Sequence, residues 1–432
     1  LRLAYLTSLY PAVSHTFVLR EAQALRDRGI EIETVSIRRA RPETLLSQDV
    51  RDEAARTHVL LPPRPLELLG AHLEAIVRHP RRYVATLGRA LRMAPGGSRS
   101  VLWQLFYFGE SMLLWRHLRR RGIRHVHVHF ANVAADVAML TCMFADAPGD
   151  RWTWSFTLHG MIAIPTEFGG VDHHRLERKV EQAEFVVCIS DFGRSQLMGL
   201  VDGRLWPAIH VVRCGVSADW LDDPPDRSGH DPGRFEILHV GRLVRLKGQA
   251  VLLEALANLR ARGVPAHLVI VGDGPERARL ERLAAELELG DALRLVGAVG
   301  QEEIRRHCAV ADAFCLSSFA EGVPVVLMEG MATGLPVVAT RVGGVAELVE
   351  DGVSGLLVTP GRSDLIADAL EQLWSNPDGR RRMGAAGRRS VLDGFLAEAS
   401  AERLAELFER SLGDGGAPPR AAVLAAPREG GR

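Results

Sequence analysis

Short apolar runs of strand length alternate with helix-length amphipathic stretches along most of this 432-residue chain. One polar, Pro- and Gly-rich segment, LDDPPDRSGHDPGR at 221–234, interrupts the alternation. Strand, helix, strand in succession dictates parallel pairing, because a parallel neighbour is reached only through a long crossover, usually helical. Before the break the strand-like runs include RLAYLTS, IEIETVSI, HVHVHF, WSFTLHG, FVVCIS and IHVVRCG; after it come FEILHVG, HLVIVG, LRLVG, AFCLSS, PVVAT and GLLV. The predicted fold class is α/β, with two doubly wound Rossmann-like domains, 1–220 and 235–395, joined by the linker 221–234 and facing each other across a cleft. A helix over 396–413 is expected to pack back on the first domain, and the tail 414–432 to be disordered.

With 47% hydrophobic residues a chain of this length buries large cores. Its 53 basic side chains match its 53 acidic ones, so overall charge gives no reason to expect nucleic acid as a partner. The five cysteines form no CxxC pair, and an odd number argues against a closed disulfide framework, which fits a reducing cytoplasm. The opening LRLAYLTSLYP lacks the sustained apolar region of a secretory leader. The greasiest run, VLWQLFYFGESMLLW at 101–115, is broken by polar residues and is shorter than the roughly 20 residues a membrane span needs.

In open parallel sheets, ligands bind beyond the carboxyl ends of the strands, so residues just after strands carry the chemistry. After FEILHV the chain places Gly241, Arg242 and Lys247, a glycine for close approach and two cations for phosphate. After HLVIV, Gly272 and Gly274 with Pro275 make a tight turn into a helix, read equally well as a well-made turn or as one wall of a nucleotide pocket. After AFCLSS, FAEGVPVVLMEGMAT puts Glu321 in a loop, Pro324 at the first helical position and Glu329 more than one turn into the helix. The first amides of that helix, Val325 and Val326, offer an anion site.

FAEGVPVVLMEGMATGLPVVAT, HVGRLVRLKG, VIVGDGP and VGGVAELVEDGVSGLLV together resemble the retaining glycosyltransferases of the large family 4, over most of residues 235–400. That resemblance implies the GT-B fold and a nucleoside diphosphate sugar donor. It implies that Arg242 and Lys247 hold the diphosphate, Glu321 the sugar hydroxyls and Glu329 the ribose hydroxyls, with amides from Gly322 to Val326 completing the contacts. Backbone near Gly272 and Val296 would meet the base. In the first half, FTLHG matches the family's histidine motif, which implies that His159 contacts the sugar near the reacting carbon. SHTF at 14–17 resembles the SETF of a subgroup from extracellular and capsular polysaccharide assembly, with His15 where that subgroup has an acid. Ser14, His15 and His129 are the expected acceptor contacts, and the acceptor a glycan or lipid-linked sugar. No cofactor and no metal is expected.

His125, His127 and His129 fall on one face of a strand, as metal ligands might, but residues i and i+4 of a strand lie about 13 Å apart, too far for one ion. From 78 to 124 there are 11 arginines and one acid, Glu110, around Trp103, Phe106, Tyr107, Phe108 and Trp115. This reads equally as a core helix with solvated arginines or as a surface for an anionic membrane, which would place the protein on the inner face of the cell membrane. A nucleotide-sugar epimerase of the same fold and a non-enzymatic carbohydrate-binding protein stay open as alternatives.

Overall fold

The computed structural model describes residues 1–12, 15–94, 96–160, 173–222 and 228–412. Ser14, residues 223–227 of the Pro-rich stretch and the tail from 413 lie outside the described residues. The chain forms two compact units. The first comprises 1–189, 193–212 and the chain from Ala401, and the second 190–192 and 213–400.

The first unit is built on a seven-stranded sheet of order β3-β2-β1-β4-β5-β6-β7. Its strands are β1 (Arg2–Leu9), β2 (Glu31–Arg38), β3 (His58–Leu61), β4 (His125–His129), β5 (Thr153–Leu158), β6 (Val186–Cys188) and β7 (Ile209–Val211). The second holds a six-stranded sheet of order β10-β9-β8-β11-β12-β13. Those strands are β8 (Phe235–Val240), β9 (Ala266–Val271), β10 (Leu293–Gly297), β11 (Ala313–Leu316), β12 (Val337–Thr340) and β13 (Gly355–Val358). Every strand pairing in both sheets is parallel. Strand β3 escapes the periodicity argument, because four residues between a helix and Pro62 are too few to show an alternation.

The pleat decides which core each side chain joins. In β1, Ala4 and Leu6 point to a layer with Val126, Val128 and Phe156, while Leu3 and Tyr5 point to the opposite layer. That second layer contains the helix Thr16–Asp27 and, from the far end of the chain, Ala401, Leu404 and Phe408. In the second unit the stretch after β7 is tied to the same far end, for Val216 N–H donates to the Phe395 carbonyl at 3.0 Å and Ala397 N–H to the Val216 carbonyl at 2.9 Å. Residues 213–220 thereby belong to the second unit, ahead of the Pro-rich stretch, because this backbone pairing holds them there.

The histidine run of β4 has a structural use that its sequence does not disclose. His125 bonds Thr153 and Ser155 hydroxyls at 2.8 Å each, and His127 bonds Ser155 at 2.8 Å and Thr157 at 2.9 Å. The three side chains are buried, and the hydroxyls of β5 satisfy the first two imidazoles rung by rung, as a buried polar group requires. Burial holds His125 and His129 neutral down to about 3, and His15, at the start of the Thr16–Asp27 helix, down to about 4. The unfolded chain protonates these groups near 6.5, so it binds more protons than the fold below that value. Stability is therefore complete above pH 6.5 and falls as pH drops from 6.5 towards 3. Glu21 and Glu110, raised by burial to about 7, act in the opposite sense, since the fold keeps their protons between about 4.5 and 7. A single substitution separates one imidazole from the rest. His125→Gln is expected to shrink the loss of unfolding free energy between pH 7 and pH 5 by about 2 kcal/mol, measured by urea denaturation at both pH values.

Candidate active site

Each sheet reverses strand order once, between β1 and β4 in the first unit and between β8 and β11 in the second. At such a point the crossovers leave in opposite directions, opening a crevice at the strands' carboxyl ends. In the second unit the loops that follow β8 and β11 carry the residues picked out by the sequence. Lys247 Nζ donates to Glu321 Oε1 at 2.6 Å, and Ser318 Oγ donates to the same oxygen at 2.6 Å. Glu321 is 8% exposed. A buried ion pair is held in place only when further hydrogen bonds offset its desolvation, and Ser318 provides one. An ammonium has three donors and a carboxylate two oxygens, so the pair retains capacity for a polar ligand.

The loop bearing Lys247 is fixed from beneath. His239 donates Nδ1–H to the Cys315 carbonyl at 2.9 Å, and Gln249 lies 3.3 Å from His239 Nε2 while donating to the Arg242 carbonyl at 2.9 Å. Burial lowers His239 to about 4, so its Nε2 stays an acceptor at neutral pH. Arg242 itself is exposed on this loop. Gly241 N–H donates to Val271 O at 2.9 Å, and a Cβ on Gly272, whose φ is +139°, would lie 2.0 Å from the Gly241 carbonyl. Only glycine lets the exits of β8 and β9 cross so closely. Gly272 N–H in turn donates to the Gly297 carbonyl at 2.8 Å, beside the register shift of β10 that contains Val296. Gly274 continues the turn, and the next helix starts at Arg277, two residues beyond Pro275.

The helix after the Glu321 loop is Val325–Ala332, with Pro324 as its extended cap, one residue outside the position expected for it. Leu327 and Met328 amides bond the Pro324 carbonyl at 3.0 and 3.3 Å, so the Val325 and Val326 amides precede the first intrahelical bonds. Glu329 is buried on this helix. The turn after β12 clasps the loop. Gly344 N–H bonds the Gly322 carbonyl at 2.8 Å, and a Cβ on Gly343, at φ +52°, would sit 1.8 Å from the Glu321 carbonyl.

In the first unit the exits of β1, β4 and β5 gather a second cluster. His129 Nδ1 and His159 Nε2 are 2.9 Å apart, Glu21 Oε1 lies 3.6 Å from His129 Nε2, and Tyr5 donates its hydroxyl to Glu21 Oε1 at 2.7 Å. Burial depresses His159 well below the usual imidazole range, with His129 and His15 adding to the effect, so two neutral rings share one hydrogen bond. If His129 points Nε2–H at Glu21, its Nδ1 accepts from His159 Nε2–H, and His159 Nδ1 becomes an acceptor. Phe17 packs on His159 with ring centres 4.5 Å apart, and Phe130, at φ +73°, packs on both His159 and His15. Such a φ for an aromatic residue is strained and marks a site held in place by its surroundings. His15 Nδ1 lies 3.1 Å from the Leu9 carbonyl.

His129, expected as an acceptor contact, is fully buried and bonded to His159. Glu21 from the neighbouring helix joins His127 and His129, with ligand atoms all within 4.8 Å of one another, a grouping that the three histidines of β4 alone do not reveal. Both His127 nitrogens are already bonded to Ser155 and Thr157, which supports a hydrogen-bonded network at this place. Tyr5, Glu21, His239, Gln249 and Ser318 went unnoticed in the sequence. Only Glu21, about one turn after SHTF on the TFVLRE helix, carried a signal that could have been followed.

The family model described as glycosyl transferases group 1 matches residues 222–390. The chain is 30% identical over 430 residues to the amylovoran biosynthesis glycosyltransferase AmsK of Erwinia amylovora, covering 95% of this chain and 100% of the relative. It is 29% identical over 431 residues to the putative colanic acid biosynthesis glycosyltransferase WcaL of Salmonella typhimurium, covering 95% and 100%. Among solved structures, Anabaena Alr3699/HepE in complex with UDP and glucose superposes with a TM-score of 0.72 over 94% of this chain and 99% of that one, at 19% identity. Full-length relatedness, the matched family model and two parallel-sheet domains of GT-B type lead to one assignment: this chain belongs to the group 1 glycosyl transferases and is a glycosyltransferase.

Proposed function

We propose that the enzyme moves a sugar, with retention at the anomeric carbon and without a metal ion, from a nucleoside diphosphate sugar to a hydroxyl of a glycan or lipid-linked acceptor, in the assembly of an extracellular or capsular polysaccharide. The observation that carries this reading is the Lys247–Glu321 ion pair at the strand-order reversal, beside the open amides of Val325 and Val326. Cation and amides suit a diphosphate, and the carboxylate suits sugar hydroxyls. The names of AmsK and WcaL, both from polysaccharide biosynthesis, support the pathway.

In this mechanism the bond between the anomeric carbon and the phosphate oxygen breaks, and charge grows on the departing diphosphate. Lys247, Arg242 and the helix amides stabilise that charge. The acceptor oxygen bonds to the same face of the sugar while its proton passes to the departing phosphate oxygen, which gives retention without a protein base. Glu321, bound by Lys247 and Ser318, is a positioning group for the sugar, and Glu329 holds the ribose. Backbone around Gly272 and Val296 meets the base. His159, oriented by His129, contacts the sugar, and Ser14 and His15 serve the acceptor. The protein works at the cytoplasmic face of the membrane, where a lipid-linked acceptor would lie.

Lys247→Ala is expected to lower kcat/KM by about a hundredfold, the loss of roughly 3 kcal/mol of charge stabilisation, with an unchanged circular dichroism spectrum. The assay follows sugar transfer from UDP-, GDP-, ADP- and dTDP-sugars to a glycan acceptor and reads the anomeric configuration by NMR. Equal rates for wild type and variant with every donor, or an inverted product, would sink the proposal; an altered sugar with no acceptor consumed would assign an epimerase. A second expectation concerns Glu21, whose carboxyl titrates near 7 because it is buried. Above that pH its charge draws the His129 Nε2 proton and sharpens the hydrogen bond that aims His159. The kcat profile should rise through about pH 7 in the wild type and lose that inflection in Glu21→Gln.

A further inference from the structure

The three helices Pro65–Arg78, Pro80–Arg92 and Ser98–Arg121 turn an apolar and basic surface outwards that sugar transfer does not use. On the first helix Leu66, Leu69, Leu73, Ile76 and Val77 recur at helical spacing and all face solvent, Leu66 at 83% and Val77 at 80% exposure. On the opposite face Ala71 and Ala75 are buried in the sheet's core layer and Leu68 packs against it. The second helix repeats the arrangement, with Val84 and Leu91 outside and Ala90 inside. The third helix divides along its length. Phe108, Met112, Leu114 and Trp115 are core, while Leu102, Trp103, Leu105 and Phe106 are exposed. The Ser98–Arg121 helix is thus core in its second half and exposed in its first.

Charge at this surface is predominantly positive. Between residues 64 and 107 the sequence has seven arginines against Glu67 and Glu74. Arg64, Arg78, Arg81, Arg89, Arg92 and Arg99 are all exposed. Glu74 is neutralised locally, because Arg116 bonds it at 2.9 Å and Arg119 also pairs with it, and these cations hold its carboxyl below the usual range after burial is overcome. A two-fold contact with a second copy would set arginine against arginine, which disfavours self-association through this face. No helix among the described residues is long and apolar enough to cross a membrane. Apolar stripes at the level of an aromatic residue, rimmed by long-stemmed arginines, match the boundary between acyl chains and anionic headgroups.

We propose that the outward faces of these three helices dock the enzyme on an anionic phospholipid bilayer, with Leu69, Leu73, Leu102, Trp103 and Phe106 at the acyl boundary and the exposed arginines on lipid phosphates. This inference stands apart from the sugar chemistry. The test is sedimentation of the full-length protein with phosphatidylcholine vesicles, with and without phosphatidylglycerol, at low and high salt. Binding is expected only with the anionic lipid, weakened by salt, about fivefold weaker for each of Arg89→Ala and Arg92→Ala, and at least tenfold weaker in Leu102→Glu/Phe106→Glu. These side chains are solvent-facing, and an unchanged melting temperature verifies that the variants are folded. Failure of the wild type to bind anionic vesicles, or binding by Leu102→Glu/Phe106→Glu as tight as wild type, overturns the proposal. So does a dimer in sedimentation velocity that this double variant dissolves, which would assign the face to a second copy.

Discussion

Parallel strands can be joined only by crossovers, and a sheet whose order reverses must send two successive crossovers to opposite faces. Both polar clusters at the strand exits follow from that constraint, applied twice. Between β8 and β11 it leaves room for two loops whose Lys247 and Glu321 meet at 2.6 Å. Between β1 and β4 it leaves room for His129 and His159 at the ends of neighbouring strands. Neither pair is close in sequence. The loops are then locked by contacts that admit no side chain, as Gly272 against the Gly241 carbonyl and Gly343 against the Glu321 carbonyl show.

Several polar groups inside both units are satisfied by a neighbour from another element. The β4 histidines climb the hydroxyls of β5, and His239 takes the Cys315 carbonyl on one side and Gln249 on the other. An unpaired buried imidazole or carboxylate costs several kcal/mol, so such networks specify register and loop position as strongly as apolar packing does. The same burial tunes the site. It keeps the imidazoles near His159 neutral and lifts Glu21 into the physiological range, so orientation, not charge, is what these histidines supply.

The strand and helix alternation, the parallel sheets and the glycine-bearing loops after β8, β9 and β11 were legible because apolar periodicity and glycines after strands are local signals. Strand β3 was not, being four residues long, and neither was the membership of 213–220 in the second unit, which rests on backbone pairing with residues 395–397. The basic aromatic segment could be read two ways because exposure depends on what packs against each half of one helix. The burial of His129 was not legible for the same reason, since it depends on Tyr5 of β1 and on His159 beyond the end of β5.

Sequence alone determined the fold class, the order of the elements and the residue types offered at each strand's exit, because these depend on spacing along the chain. Tertiary structure alone decided which of those residues meet. Lys247 and Glu321 are 74 residues apart, and Glu21 and His129 belong to different elements. Their pairing is a property of strand order, and strand order is set by which crossovers bury the most apolar surface, not by any local pattern.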